Sequence, residues 1–155
     1  MGQLNIPDSV TVYADTSVFI YTVEANSNYY NLLQPLWSRF YAGAVEIVSS
    51  ELSLMEVLVV PMRDRNAALV STYEQLLLSS NVRLLPISQA VLRSAAQLRA
   101  STNLKTPDAI HAATALGNLP SDRSWNRNCL FLTNDSQFRR VAGLPVVVLD
   151  DVLFS

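Results

Sequence analysis

The sequence predicts an α/β fold of three layers, in which helices cover both faces of a parallel sheet. Five short runs rich in apolar and β-branched residues recur along the chain, at 10–15, 45–50, 82–87, 129–135 and 145–150. Between them lie segments with helical periodicity or composition, at 17–42, 51–80, 88–116 and 135–142. Strands that alternate with helices imply parallel pairing, and near-continuous apolar strands suit burial on both faces. The least patterned stretch is 117–128.

The chain length predicts a single domain spanning residues 1–155, because a domain of this size buries roughly 70% of the surface that its unfolded chain exposes. Half of the residues are hydrophobic and the mean hydropathy is +0.21, yet no apolar run approaches the ~20 residues of a membrane span. The N-terminal sequence MGQLNIPDS lacks the basic and apolar segments of a signal peptide. We therefore expect a soluble, cytoplasmic protein.

The charged residues and the cysteine content exclude several classes of site. The formal net charge of −2 argues against a large basic surface for nonspecific duplex binding. It does not exclude nucleic acid, because ions held by carboxylates would add positive charge where a phosphate approaches. Cys129 is the only cysteine, which excludes an internal disulfide framework and a thiolate zinc site. With a single histidine as well, a metal site must be built from oxygen ligands.

The first predicted strand, VTVYAD at 10–15, ends in Asp15, and Thr16 and Ser17 follow it directly. In an open parallel sheet the carboxyl ends of the strands border the ligand crevice, so Asp15 is a candidate for that crevice. Asp15 could equally cap the helical segment that follows. Within that segment, Pro35 is expected to break or kink the helix.

The second predicted strand, VEIVSS at 45–50, leads into an apolar helical run, LSLMEVLVV, whose one charged residue is Glu56. At 100° per residue, Leu52, Val59 and Val60 share its side of the helix, and leucines cover the opposite side. A carboxylate removed from water costs on the order of several kcal/mol unless it is protonated, paired or bound to a metal. We therefore expect a partner for Glu56.

Two features of this helix leave alternatives open. The residues Ser53–Glu56 match a capping box, although the apolar run favours a helix start near Ser49 or Ser50. The helix from Ser50 to Val60 is apolar on nearly every side. A second copy of the chain could cover it as readily as the chain's own domain.

Two more acids follow later strands. After the strand at 82–87 comes KTPDAIHAATAL, in which Thr106 is a good N-cap and Pro107 a good first helical residue. If this helix starts at the same sheet edge, Asp108 points into the crevice. The fourth strand, CLFLTND, ends with Thr133 and Asp135. Taken alone, Asp135 could cap a helix, and Asp108 could favour a helix dipole by ~0.3–1 kcal/mol.

One cluster explains these acids better than four independent caps. The candidates are Asp15, Glu56, Asp108 and Asp135. Converging carboxylates repel one another unless a hard cation compensates their charge. Mg²⁺ or Mn²⁺ fits, since both prefer carboxylate and water ligands and leave positions open for a substrate phosphate. The chemistry that follows is metal-assisted hydrolysis, in which water attacks phosphorus and no side-chain nucleophile is needed.

Four segments carry a family resemblance: YADTSVFIY, SELSLMEVL, LKTPDAIHAATAL and FLTNDSQFRRV occur in this order and cover most of the chain. Their combination resembles the PIN domain family, and within it the VapC-type toxins of bacterial toxin–antitoxin pairs. The four acids of the family pattern match Asp15, Glu56, Asp108 and Asp135 one by one. Its hydroxyl residues match Thr16 or Ser17 after the first acid and Thr133 beside the last.

The resemblance implies a five-stranded parallel sheet of order 3-2-1-4-5 and Mg²⁺- or Mn²⁺-dependent cleavage of single-stranded RNA. It also implies frequent homodimerisation and inhibition by a small antitoxin protein that inserts into the active-site groove. In this order strands 1 and 4 lie side by side, in agreement with a crevice that contains Asp15 and Asp135. Glu56 is then tolerated among apolar residues because its carboxylate serves the metal site, directly or through water.

Several other residues have both a functional and a structural interpretation. His111, one turn after Asp108, could contact metal or substrate, but a partly buried structural histidine is the favoured interpretation. Arg139 and Arg140 are candidates for phosphate binding, with a solvated helix end as the favoured alternative. Five aromatic residues could stack on bases, although their helical spacing favours packing or interface roles; they are Tyr29, Tyr30, Trp37, Phe40 and Tyr41.

The leading hypothesis is a metal-dependent ribonuclease that acts as the toxin of a toxin–antitoxin pair. A PIN nuclease that processes RNA without an antitoxin is the first alternative, and a short antitoxin gene just upstream would distinguish the two. A phosphoacceptor signalling module would need paired acids in its first loop and a lysine after a late strand, but the only lysine, Lys105, lies in a helical region. A PIN-like domain without catalysis would not need four intact acids.

Overall fold

The computed structural model describes residues 2–118 and 129–155 of the chain. The strands are β1 (Thr11–Ala14), β2 (Glu46–Ser50), β3 (Arg83–Leu85), β4 (Cys129–Thr133) and β5 (Val146–Val148). The α-helices are α1 (Thr16–Val23), α2 (Ser27–Tyr41), α3 (Leu52–Arg63), α4 (Ala67–Leu78), α5 (Gln89–Thr102), α6 (Thr106–Gly117) and α7 (Leu149–Leu153), with a 3₁₀ helix at Ser136–Arg140. Of the least patterned stretch of the sequence, 117–128, residues 119–128 lie outside the described part. No helix in the described ranges is long and apolar enough to cross a membrane.

The five strands form one parallel sheet of order β3-β2-β1-β4-β5, which confirms the order that the family resemblance implies. The strand β1 is central, and the chain leaves it for β2 on one side and returns to β4 on the other. Ala14 at the end of β1 pairs with Leu132 of β4. This register places Asp15 beside Thr133, at the point where the direction of winding reverses and a ligand crevice is expected.

Both faces of the sheet are buried, which confirms the three-layer prediction. Val12 and Ala14 of β1 belong to a core on one face, together with Phe19 of α1, and helices α1–α4 and α7 contribute to it. Tyr13, which points the opposite way, belongs to a second core with Ala112 of α6, and α5 also contributes there. The crevice lies at the carboxyl edge between these two layers of helices.

The predicted break at Pro35 is wrong. The helix α2 continues through Pro35, because one lost backbone hydrogen bond is tolerated where Leu33 and Leu36 are fully buried in the core. The interruption lies earlier, between α1 and α2, where Ala25 adopts a positive φ of 50° and Asn26 N–H donates to the carbonyl of an α1 residue.

Two helices start one or more residues away from their predicted positions, and a third, α7, was not predicted. The helix α3 begins at Leu52 rather than at Ser49 or Ser50, because Ser50 Oγ accepts a hydrogen bond from Leu52 N–H (3.0 Å) and closes a turn. In α6 the N-cap is Lys105, and Thr106 is already helical. The last apolar run ends as a strand at Val148 and continues as α7, whose buried leucines anchor it to the first core.

Candidate active site

Asp15 follows β1 directly and is the N-cap of α1. Its Oδ1 accepts hydrogen bonds from Ser17 N–H (3.1 Å) and Ser17 Oγ (2.5 Å). Its Oδ2 accepts one from Thr133 Oγ1 at the end of β4. Burial raises the pKa of Asp15, and the hydroxyl donors offset part of that rise. Capping and membership of the crevice are therefore not alternatives, because the same carboxylate does both.

Glu56 projects from α3 and has the partner that its apolar surroundings require. Its Oε1 accepts hydrogen bonds from Thr16 Oγ1 of α1 (2.8 Å) and lies 2.6 Å from His111 Nε2 of α6. Burial alone would raise the pKa of Glu56, but the hydrogen bond and charge of His111, with the Thr16 hydroxyl, bring the pKa below its ordinary value. Glu56 is therefore held in its ionised form.

A chain of buried hydroxyls supports Thr16. Ser49 Oγ donates to the Ala14 carbonyl (2.6 Å) and lies 2.8 Å from Ser53 Oγ, which lies 3.1 Å from Thr16 Oγ1. Ser53 is fully buried inside α3 rather than at its start, so it does not form a capping box with Glu56. Sequence reasoning did not assign Ser49 and Ser53 to the site. The signal that could have identified Ser53 is its spacing of three residues from Glu56, which puts both side chains on one helix face.

Asp108 and Asp135 complete the crevice from α6 and from the end of β4. Asp108 lies half-buried in the first turn of α6, and its pKa is raised by burial first and then by the charges of Asp135, Asp15 and Glu56. Asp135 caps the 3₁₀ helix by accepting from Gln137 N–H (2.9 Å), while its own N–H donates to Thr133 Oγ1 (3.0 Å). Asp108 therefore lies close enough to the other three predicted acids for their charges to affect its pKa.

The donor set fits a hard divalent cation. Within residues 2–118 and 129–155, no lysine or arginine forms an ion pair with Asp15, Asp108 or Asp135. Excess negative charge of this kind, offered by oxygen donors, suits Mg²⁺ or Mn²⁺. In the same described ranges, no three acidic, histidine or cysteine side chains form a ready-made cage for an ion. Mg²⁺ does not need one, because it is usually held by one or two carboxylates and keeps several waters.

His111 is more closely involved in the site than the sequence suggests. It is 3% exposed, its Nε2 faces Glu56, and its Nδ1 lies 2.8 Å from Tyr13 Oη. Tyr13 stacks on Phe131 of β4 with ring centroids 4.9 Å apart. The predicted structural role of His111 and a role in the site are thus combined in one buried side chain.

The remaining candidates lie at exposed or packed positions. Arg139 forms an ion pair with Asp151, and both side chains are at least half exposed. Arg140 is exposed and reaches the Thr102 carbonyl (3.4 Å). These contacts agree with the solvated helix end that was the favoured interpretation.

The five aromatic candidates divide into packed and exposed residues. Trp37 and Phe40 are buried in the first core, which confirms packing roles. Tyr29 is half-buried, stacks on Tyr21 with ring centroids 4.2 Å apart, and donates to Asp150 Oδ1 (2.5 Å). Tyr41 is 72% exposed and Tyr30 is 37% exposed, so simple core packing does not explain these two.

The family model for the PIN domain matches residues 12–144. VapBC2 from Rickettsia felis, in a crystal structure with a DNA fragment from their promoter, is similar at a TM-score of 0.65 and 18% identity, over 90% of this chain and 98% of that chain. A toxin–antitoxin complex from Klebsiella pneumoniae is similar at a TM-score of 0.57 and 22% identity, over 88% of this chain and 96% of that chain. FitAcB from Neisseria gonorrhoeae is similar at a TM-score of 0.58 and 19% identity, over 87% of this chain and 95% of that chain. No curated protein sequence is significantly similar to this chain. Because the matched region spans most of the sequence, the chain belongs to the PIN domain family.

Proposed function

We propose that this protein is a Mg²⁺- or Mn²⁺-dependent endoribonuclease that hydrolyses phosphodiester bonds in single-stranded or looped RNA. The observation that carries the proposal is the position of the acids: Asp15 and Asp135 follow the adjacent carboxyl ends of β1 and β4, and among the described residues no lysine or arginine pairs with Asp15, Asp108 or Asp135. Unpaired carboxylates at the switch point of a PIN fold favour a cation and, through it, a phosphate. The PIN family is a family of nucleases, which supports the same reaction class.

The residues of the crevice have distinct proposed roles. The four acids would hold the cation, directly or through its bound waters, and Thr16, Ser17 and Thr133 fix the carboxylates of Glu56 and Asp15 through hydrogen bonds. When bound, a divalent ion supplies a Lewis acid and positive charge for the substrate phosphate. The hydroxyl of Ser17 directs its proton to Asp15, so we assign it a supporting role rather than that of a nucleophile.

Single-stranded RNA is the proposed substrate class because the protein lacks the charge for tight duplex binding. The net charge is −2, and ten of the eleven cationic residues are arginine, since Lys105 is the only lysine. Exposed loops present both backbone and bases at one site, whereas a duplex is bound mainly through its phosphates. Recognition through an acidic crevice that holds a cation favours the exposed loops.

Cleavage assays on a labelled RNA hairpin and on a perfect duplex of the same sequence test this function. With Mn²⁺ we expect cuts in the loop and the flanking single strands, and none in the duplex. EDTA should abolish the cuts, and added Mn²⁺ should restore them. Unchanged cleavage in EDTA would overturn the metal mechanism, and equal cleavage of both substrates would overturn the substrate class.

An antitoxin partner is the second part of the proposal. The solved structures reported above include toxin–antitoxin complexes that share the fold over most of this chain. We expect expression of the protein alone to arrest bacterial growth, and co-expression of a small protein encoded just upstream to relieve the arrest. The Asp15→Asn variant is the matched control and should not arrest growth. A wild-type protein that cleaves RNA in vitro yet leaves growth unaffected would favour RNA processing without an antitoxin.

We also propose a homodimer that uses the outer face of α3. This face leaves Met55, Val59 and Met62 exposed, and Leu78 of α4 lies beside it. Exposed apolar patches of this kind mark interaction surfaces. Light scattering should give twice the mass of the chain for the wild type and the monomer mass for Met55→Glu. Equal masses for both proteins would remove this face from the interface.

A further inference from the structure

A buried chain of three side chains connects the second core to the candidate metal site. Tyr13 Oη lies 2.8 Å from His111 Nδ1, and His111 Nε2 lies 2.6 Å from Glu56 Oε1. The Tyr13 ring is fully buried, and it is fixed by stacking on Phe131 at an interplanar angle of 7°. The members come from β1, α6 and α3, so the chain forms only when these three elements pack together.

The directions of these hydrogen bonds follow from which atoms can donate. Glu56 is ionised and can only accept, so His111 must carry its hydrogen on Nε2. The opposite tautomer would place two lone pairs against each other at 2.6 Å. The Tyr13 hydroxyl carries a hydrogen and lies 2.8 Å from Nδ1, within hydrogen-bond distance. Both ring nitrogens of His111 therefore have a hydrogen-bond partner.

These hydrogen bonds engage only one of the two carboxylate oxygens of Glu56. The hydroxyl of Thr16 and the imidazole of His111 both reach Oε1. Among the described residues, no hydrogen bond reaches Oε2. We propose that Tyr13 and His111 are positioning residues that hold Glu56 by Oε1 and leave Oε2 to face the divalent cation. The proposal rests on the metal-dependent function proposed above for its ligand, and it assigns His111 an indirect role through Glu56.

Magnetic resonance of the imidazole nitrogens tests the tautomer directly. His111 is the only histidine, so protein labelled with ¹⁵N-histidine gives a single imidazole spectrum. We expect a hydrogen on Nε2, and it should persist when Mg²⁺ is added. A spectrum of the Nδ1–H tautomer, in which Nε2 carries no hydrogen to donate to Glu56, would overturn the proposal. Loss of the Nε2 hydrogen on adding Mg²⁺ would also overturn it, because His111 would then be a ligand itself.

Mg²⁺ affinity, measured by calorimetry on folded protein, tests the positioning role. His111→Leu should weaken binding about tenfold or more, the usual effect of removing a group that orients a metal ligand. His111→Gln keeps an amide donor near the position of Nε2 and should bind within about threefold of the wild type. Equal affinity of His111→Leu and wild type would overturn the proposal, as would a Gln variant as weak as the Leu variant.

A pair of tyrosine variants keeps the test informative if His111→Leu does not fold. Tyr13→Phe removes one buried hydroxyl and retains the ring that stacks on Phe131. Tyr73→Phe also removes one hydroxyl from a fully buried ring, which donates to Glu24 away from the crevice. We expect weaker Mg²⁺ binding for Tyr13→Phe only, and equal affinity of both variants would overturn the role of Tyr13. None of these measurements uses RNA, so a protein without ribonuclease activity would contradict the proposed function and leave this test intact.

Discussion

The two sides of the crevice differ in how their carboxylates are held. Asp15 and Glu56 each accept at least two hydrogen bonds from side chains, which fix them before any ligand arrives. Asp108 accepts none from the described residues, and Asp135 accepts one from the backbone of Gln137. Glu56 and Asp108 also differ in pKa, because the hydrogen bond of His111 lowers the pKa of Glu56, whereas burial and Asp135 raise that of Asp108. One side of the site is thus organised by the fold, and the other carries repulsion that a cation would relieve.

The largest effect on RNA cleavage is expected for Asp15, one of the two acids that hydrogen bonds hold in place. Asp15→Asn should lower RNA cleavage by about 10²–10⁴-fold, because a metal ion contributes several kcal/mol and each 1.36 kcal/mol is tenfold in rate. Asparagine caps helices as well as aspartate does, so α1 should remain intact. Circular dichroism checks the fold, and the cleavage rate in Mn²⁺ checks the site. A folded variant that retains a tenth of the wild-type rate would remove Asp15 from the catalytic set.

Removing the negative charge of Asp108 should stabilise the metal-free protein. In EDTA, Asp108→Asn should be more stable than the wild type by up to about 1 kcal/mol, or about 2–4 °C in Tm, because it relieves desolvation and the repulsion from Asp135. The variant should gain less stability from Mn²⁺ than the wild type does, because a metal stabilises a protein by binding to its native state. It should also lose most of its cleavage activity. Melting curves in EDTA and in Mn²⁺ measure both effects.

Asp151→Asn is the matched control for that measurement. Asp151 also lies in the first turn of a helix, but it is exposed and pairs with Arg139. Its loss should lower stability by roughly 0.3–1 kcal/mol, the opposite sign, with or without Mn²⁺. An Asp108 variant that behaves like the Asp151 variant would show that Asp108 only interacts with its helix dipole.

The gain in stability should depend on pH in a defined direction. The pKa of Asp108 is raised in the folded protein, so the folded state binds its proton more tightly than the unfolded chain does. Protonated Asp108 contributes fully to stability at pH values below its pKa in the unfolded chain, about 3.9. This contribution is lost as pH rises through its pKa in the folded protein. In EDTA, the Tm advantage of Asp108→Asn should therefore be present at pH 7 and shrink toward pH 4. A constant advantage across this range would mean that it does not come from the charge.

The sequence predicts the positions of the four acids well, but it does not predict their hydrogen-bond partners. The positions of the strands and of the acids depend on local patterns, namely apolar runs that end in Asp15 and Asp135 or lead toward Glu56 and Asp108, whereas the strand order follows from the family resemblance. The partners of these acids depend on packing between distant elements. Thr133 reaches Asp15 across 118 positions, and His111 reaches Glu56 across 55. No local pattern encodes such contacts, so the roles of His111, Ser49 and Ser53 emerge only with the fold.

Errors at element boundaries have a similar cause. Pro35 lies inside α2 because burial of its neighbours outweighs the loss of one hydrogen bond. The helix α6 starts at Thr106 itself, so the N-cap position falls on Lys105, whose side chain makes no capping hydrogen bond. At Pro35, tertiary packing overrides the local helix-breaking signal.

The smallest expected effect concerns Arg139, at the outer end of the 3₁₀ helix that Asp135 caps. Its exposed ion pair with Asp151 should contribute about 0.2–1 kcal/mol, so Arg139→Ala should change Tm by at most a few degrees, and less in high salt. If Arg139 instead neutralised an RNA phosphate, its removal would reduce the slope of log K against log[salt] by about 0.7. Binding of single-stranded RNA, measured at several salt concentrations in an Asp15→Asn background that prevents cleavage, separates the two. We expect an unchanged slope, since Arg139 is already paired with Asp151. A reduced slope would instead show that Arg139 binds an RNA phosphate beside the acids of the proposed cation site.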